Sequence, residues 1–226
     1  MEPSPDPEGI AGSKLLALAR ESVMEAASRV IKAAEYRRER WKNGLGWTRE
    51  IIRGPANATT DWHWRVSIAE IEQDAAFSRF PGIERELVLL SGNGMRLVFD
   101  DGQQALLEPP RGKLRFSGDR VVRAVLTDGP TQDFNLMWNP THVQAELAVR
   151  PLTGSMVFFV EPGVTWMVHM VAGQAGWNED AGLPSLQSGD TAILASATSR
   201  SRFALEGGGS LIVIRLPAAA TSRTIA

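Results

Sequence analysis

The chain has 226 residues, 43% of them hydrophobic, enough for one large domain or two small ones whose core needs no disulfide or metal staple. Cysteine is absent, which excludes a disulfide framework, thiolate catalysis and Cys-ligated zinc or iron–sulfur centres. A net charge of −2 gives no electrostatic footprint for nucleic acid, and no apolar run approaches the ~18 residues that a membrane-spanning helix needs.

Residues 1–12 are Pro-rich and acidic and read as a disordered lead-in, without the basic start and apolar stretch of a signal peptide. Ser13 caps an expected helix running to about residue 27, on which Leu16, Ala19, Val23, Ala26 and Ala27 recur at 3–4-residue spacing. From residue 28 the texture changes to short Val-, Ile-, Leu-, Phe- and Trp-rich runs, punctuated by Gly, Pro, Asn and Asp. Strands are expected near 62–71, 87–90, 95–99, 121–127, 134–137, 142–149, 157–160, 164–171, 191–194 and 211–216. The fold class is therefore all-β, closed or sandwiched, after one short N-terminal helix. Phe116-Ser-Gly-Asp119 and Leu186-Gln-Ser-Gly-Asp190 each precede a strand, which points to two similar barrels.

The densest polar segment is Arg40-Trp-Lys-Asn-Gly-Leu-Gly-Trp-Thr-Arg-Glu50. Gly44 and Gly46 allow a nest of backbone N–H groups, and Arg40, Lys42 and Arg49 would add charge-assisted bonds to a carboxylate. The same residues also fit an ordinary turn with solvated charges. In the 62–71 strand Arg65 and Ser67 share one face and Trp62 and Trp64 the other. Either face is free to line a ligand cavity. Asp133 and Asn135 also share a face, placed either to bind an amide or imine group or to satisfy a turn.

A metal site lacks ligands in sequence: His63 has no partner two residues on, and His142 and His169 read as ordinary strand residues. No Gly-x-Ser-x-Gly occurs, and the 206–210 glycine run reads as a flexible hairpin loop rather than a phosphate cradle.

Four segments in order resemble the HutD/Ves bicupins, small bacterial proteins associated with histidine utilisation or stress response. They are Trp41-Lys-Asn-Gly-Leu-Gly46 with Thr48-Arg-Glu-Ile51, Trp64-Arg-Val-Ser-Ile-Ala-Glu-Ile71, Phe77-Ser-Arg-Phe-Pro-Gly82 with 87–92, and Phe116-Ser-Gly-Asp119 with Gly129-Pro-Thr-Gln-Asp-Phe-Asn-Leu-Met137. The resemblance implies a cytoplasmic bicupin that often dimerises. A first cupin barrel over 28–140 would own the pocket, with a second, degenerate barrel over 141–226. Where cupins carry His-x-His this chain has Ser78-Arg-Phe80, so a metal-free cupin without cofactor is implied.

The family's leading ligand proposal is formiminoglutamate, whose two carboxylates and formimino group suit a pocket built from Trp41, Lys42, Asn43, Thr48, Arg49, Arg65, Ser67, Asp133 and Asn135. Leu45 and Trp47 depart from the family pattern and would add bulk beside that pocket. Three functions follow: a non-enzymatic carboxylate binder modulating histidine catabolism, a metal-free isomerase or formimino/amide hydrolase using Glu50, Glu70, Asp133 or His63, and a structural or protein-interaction role.

Overall fold

The computed structural model describes residues 27–55 and 61–217. The expected lead-in and helix lie, but for Ala27, outside the described residues. The strands in chain order are β1 Arg29–Ile31, β2 Arg37–Arg40, β3 Gly46–Gly54, β4 Trp64–Ile71, β5 Ala75–Ala76, β6 Glu84–Ser91, β7 Met95–Phe99 and β8 Gln104–Leu107. They continue as β9 Lys113–Ser117, β10 Val122–Leu126, β11 Thr131–Trp138, β12 Glu146–Val160, β13 Val164–Trp177, β14 Leu186–Gln187, β15 Thr191–Leu194 and β16 Ser201–Pro217. Single 3-10 turns at Ala33–Glu35 and Glu179–Ala181 are the only helical elements among the described residues, none of them long and apolar enough to cross a membrane.

Three antiparallel sheets result. The central one runs β2-β3-β4-β11-β6-β9, a cover sheet runs β5-β10-β7-β8, and a distal sheet runs β1-β15-β13-β16-β12 with β14 paired to β13. Period-2 alternation gives the central sheet two buried faces. Val66, Ile68, Val88, Phe134, Leu136 and Trp138 pack against Met167, Ile193, Ile212 and Ile214 of the distal sheet. The opposite face carries Leu87 and Leu89 into a second core with Leu97, Phe99 and Val122 of the cover sheet. Each such fully buried apolar side chain contributes about 1.5–3 kcal/mol. The distal sheet has its own core on its far face, including Val168, Met170, Leu205 and Leu211.

Two expectations are corrected. The runs at 142–149 and 157–160 form one 15-residue strand, β12, while His142 sits in the turn before it. The glycine run is not a loop but lies inside β16, paired with both β12 and β13. There the backbones approach too closely for side chains: a Cβ on Gly209 would lie 1.9 Å from Ala172 O. β1 pairs with β15 of the distal sheet, and β2 with β3 of the central one. The segment from 29 to 40 therefore straps the two together. Asp190 receives Lys32 Nζ at 2.9 Å and the Ala33 N–H at 3.0 Å, and the Tyr36 hydroxyl sits 2.7 Å from Thr191 Oγ1.

Candidate functional site

A cavity of about 430 Å³ opens over the inner face of the central sheet, rimmed by the turn that follows β2. Eight of the nine residues expected from sequence line it: Trp41, Lys42, Asn43, Thr48, Arg65, Ser67, Asp133 and Asn135. The strand register orders the floor in three rows. Asp133 stands opposite Ala69 and Leu89, Asn135 opposite Ser67 and Leu87, and Met137 opposite Arg65 and Arg85. Two cations thus sit at one end and a carboxyl at the other, four residues or about 13 Å of strand apart.

Arg85 is a buried cation in the lining that sequence reasoning missed. It is 5% exposed, and its guanidinium lies 5.2–5.6 Å from the ring centres of Phe77, Phe80 and Phe116. Its Nε has no hydrogen-bond partner, and it reaches no carboxylate at ion-pair distance among the described residues. Burial pulls its pKa down to about 10, against the opposing pull of Asp133. The available signal was a charge on the same period-2 face as Leu87 and Leu89. Arg65, by contrast, donates from Nε to Glu50 at 2.6 Å, and Arg53 holds the other oxygen of that carboxylate.

Asp133 is 1% exposed, and both of its carboxyl oxygens lack a partner. Burial raises its pKa to about 7, with the charge of Arg85 pulling the other way. The Asn135 Oδ1 is likewise buried and unmet. Such atoms normally cost about 1–3 kcal/mol each when left unpaired. Their concentration on one cavity wall makes that wall the candidate site.

The rim turn is built from its own polar groups. Trp41 Nε1 donates to Thr48 Oγ1 at 2.8 Å, the Leu45 N–H donates to Asn43 Oδ1 at 3.0 Å, and the Gly44 N–H to Trp41 O at 3.0 Å. The last two N–H groups are consumed by the turn, so of the two glycines expected to form a nest, Gly44 turns its N–H inward. Gly46 is required because a Cβ there would lie 2.5 Å from Glu70 O and 3.1 Å from the Trp41 ring. Trp41 stands edge-on to Phe77 and closes that wall. Lys42 and Asn43 remain exposed at the mouth.

Arg49 is the exception among the expected residues. It neighbours Thr48, and one step along a strand flips the face. Its Nε lies 2.7 Å from Glu70 on the side facing the distal sheet, away from the cavity. Trp47 also turns outward, stacked under Arg38 and Arg40 with Nε1 on Glu72, and Leu45 packs against the core beneath the cover sheet. Neither adds bulk to the cavity.

Of the four residues considered for acid–base work, only Asp133 lines the cavity. Glu50 and Glu70 are engaged by arginines, and His63 stacks on His142 with ring centres 3.9 Å apart. His169, buried against Phe134 and hydrogen-bonded to Thr191, is pulled down to about 3 by burial. Among the described residues no three His, Asp or Glu side chains gather closely enough to hold a metal ion.

Comparison with known proteins gives a consistent answer. The HutD family model matches residues 33–213. An uncharacterized 21.2 kDa protein from the hutC 3' region of Pseudomonas putida is 40% identical over 118 residues, 52% of this chain and 62% of that one. Protein Ves of Escherichia fergusonii is 39% identical over 128 residues, 53% of this chain and 66% of its own length. The chain thus spans just under two thirds of these curated relatives. The solved structure of HutD from Pseudomonas fluorescens SBW25 superposes with a TM-score of 0.74 at 30% identity, covering 86% of this chain and all of that one. A further solved structure at 11% identity and TM-score 0.67 shares the fold alone, and that fold is cupin-like.

Proposed function

Because the chain belongs to the HutD family, we propose that it binds a small carboxylate metabolite over the central sheet and thereby modulates histidine catabolism without turning the ligand over. The observation that carries this reading is Arg85: a buried cation with an unmet Nε, opening onto a cavity beside Arg65. A carboxylate is the group that would satisfy it, by a charge-assisted and potentially bidentate bond. Lys42 and Arg40 at the mouth add attraction for anions. The ligand reading narrows to formiminoglutamate on the family resemblance and on the hutC-region position of the Pseudomonas putida relative.

The two cores, one under the cover sheet and one in the distal sheet, support reading the chain as two cupin-type barrels, the first owning the pocket. The site reading is metal-free, because the cavity lining offers no imidazole and its dominant charges are cationic.

The test is a thermal-shift panel of histidine, urocanate, formiminoglutamate, glutamate and formate, with and without EDTA. A ligand at 100 times its Kd adds about 2.7 kcal/mol of stability. A rise with formiminoglutamate that EDTA leaves unchanged and Arg85→Met abolishes supports the proposal. A flat panel with an EDTA-induced drop overturns it. Asp133 favours a second reading: a carboxyl held near neutrality at the floor of a cavity is suited to general acid–base use. Incubating formiminoglutamate with the protein and following ammonia or formamide release decides between binding and turnover.

A further inference from the structure

We infer that the seam between the central and distal sheets holds a second ligand site, which binds a phosphate monoester carrying a small apolar body. The inference stands independently of the carboxylate-pocket reading, because the two cavities share no lining residue. The seam cavity measures about 310 Å³, at the lower end of the ~300–1,000 Å³ usual for small-ligand pockets. Its polar lining is Arg29, Arg53, His63 and Thr165. Each of these side chains can donate a hydrogen bond, and among the described residues no carboxylate lines the cavity. The first cavity differs, since Glu39 and Asp133 line it.

Strand register explains how polar groups come to this seam. Arg29 stands opposite Ile193 and shares a face of β1 with Ile31, and both isoleucines pack in the core between the two sheets. Thr165 shares a face of β13 with Met167 of the same core. Two polar side chains of the distal sheet are thus turned toward the central sheet, where packing alone calls for apolar ones. On the other side, the backbone of His63 is fixed at both groups. Its N–H donates to Gly54 O at 2.7 Å, and its carbonyl accepts from the Asn139 N–H at 2.7 Å.

Arg53 is held at 2.6 Å by Glu50, a carboxylate outside the lining that Arg65 shares. Arg29 is the uncommitted cation. It is half-buried, forms no ion pair among the described residues, and its guanidinium makes one long bond, 3.4 Å to Ala27 O. Two guanidiniums lining one cavity attract an anion between them. Donors that approach from two sheets suit a tetrahedral oxyanion, whose oxygens point in several directions, better than a planar carboxylate. The rest of the wall includes Ile52, Trp64 and Ile193, which calls for an apolar body beside the phosphate. Gly54 makes that wall possible, because a Cβ there would lie 2.3 Å from the Trp64 ring.

The test is titration calorimetry with phenyl phosphate and benzoate, which share a ring and differ in the oxyanion. It runs on the full wild-type chain and on Arg29→Met, Thr165→Val and Arg85→Met, each checked for folding by circular dichroism. The wild type is expected to bind phenyl phosphate more tightly than benzoate. Arg29→Met should weaken phenyl phosphate about tenfold or more, Thr165→Val should weaken it less, and Arg85→Met should leave it unchanged. Absence of phenyl phosphate binding overturns this inference while leaving the carboxylate pocket standing. Binding that Arg85→Met abolishes and Arg29→Met leaves intact overturns it as well, since the probe then sits in the first cavity. Equal binding of the two probes overturns the tetrahedral assignment. Thr165→Val keeps the side-chain shape and decides the matter even if Arg29→Met misfolds.

Discussion

Asp133→Asn should abolish a pH-dependent loss of stability that the wild-type protein carries in the absence of ligand. Burial lifts the Asp133 pKa from 3.8 to about 7, despite the counter-pull of Arg85. Between those values the folded protein binds a proton that the unfolded chain has released. The folded state is therefore destabilised as pH rises through this window, and the loss is complete above the folded pKa. From pH 5 to pH 7 the window spans two pH units at ~1.4 kcal/mol each, about 3 kcal/mol. Asparagine keeps the shape and cannot ionise, so its stability lacks this slope. Urea unfolding of both proteins at pH 5 and pH 8 measures it directly, because the titration of every other group cancels in the comparison. Parallel pH dependences in the two proteins would refute the claim that Asp133 is a buried carboxyl without a partner.

Arg49→Met should leave ligand affinity unchanged while lowering stability by about 1–2 kcal/mol, read from ligand titration and denaturant melts, since Arg49 serves Glu70 behind the sheet. Asp190 behaves oppositely to Asp133. Burial pushes it up, but bonds from the Gln187 N–H, Lys32 and the Ala33 N–H together outweigh burial and hold it below the usual carboxylate range. Its stabilisation is thus present at neutral pH and lost as pH falls through that lowered value, so Asp190→Asn should flatten the acid limb of the stability profile. Gly209→Ala should destabilise by about 2–4 kcal/mol in denaturant melts, because the new Cβ falls 1.9 Å from Ala172 O at φ 145°.

The strands were legible because alternation of apolar and polar residues is a local property, and β7, β10 and β15 fall within a residue of their expected bounds. The faces of β4 and β11 were not. Both sides of the central sheet are enclosed, one by the distal sheet and one by a cavity, so polarity alone could not say which side held the ligand space. Arg65 and Asp133 were recognisable as face-sharing polar residues, whereas Arg49 was grouped with Thr48 by sequence proximity although a strand sends the two in opposite directions. Arg85 was missed because Glu84-Arg-Glu86 looks like a solvated strand end. Only tertiary placement over three aromatic rings reveals a buried cation. The glycine run in β16 was misread for a related reason: two backbones in close approach demand glycine as strongly as a mobile loop tolerates it.

The most direct test is a crystal structure of the protein grown with N-formimino-L-glutamate. The account predicts density over β4, β6 and β11, with a carboxylate on Arg85. An empty cavity, or a ligand seated instead in the cleft by Gln174, Gln187 and Glu206 of the distal sheet, would contradict it.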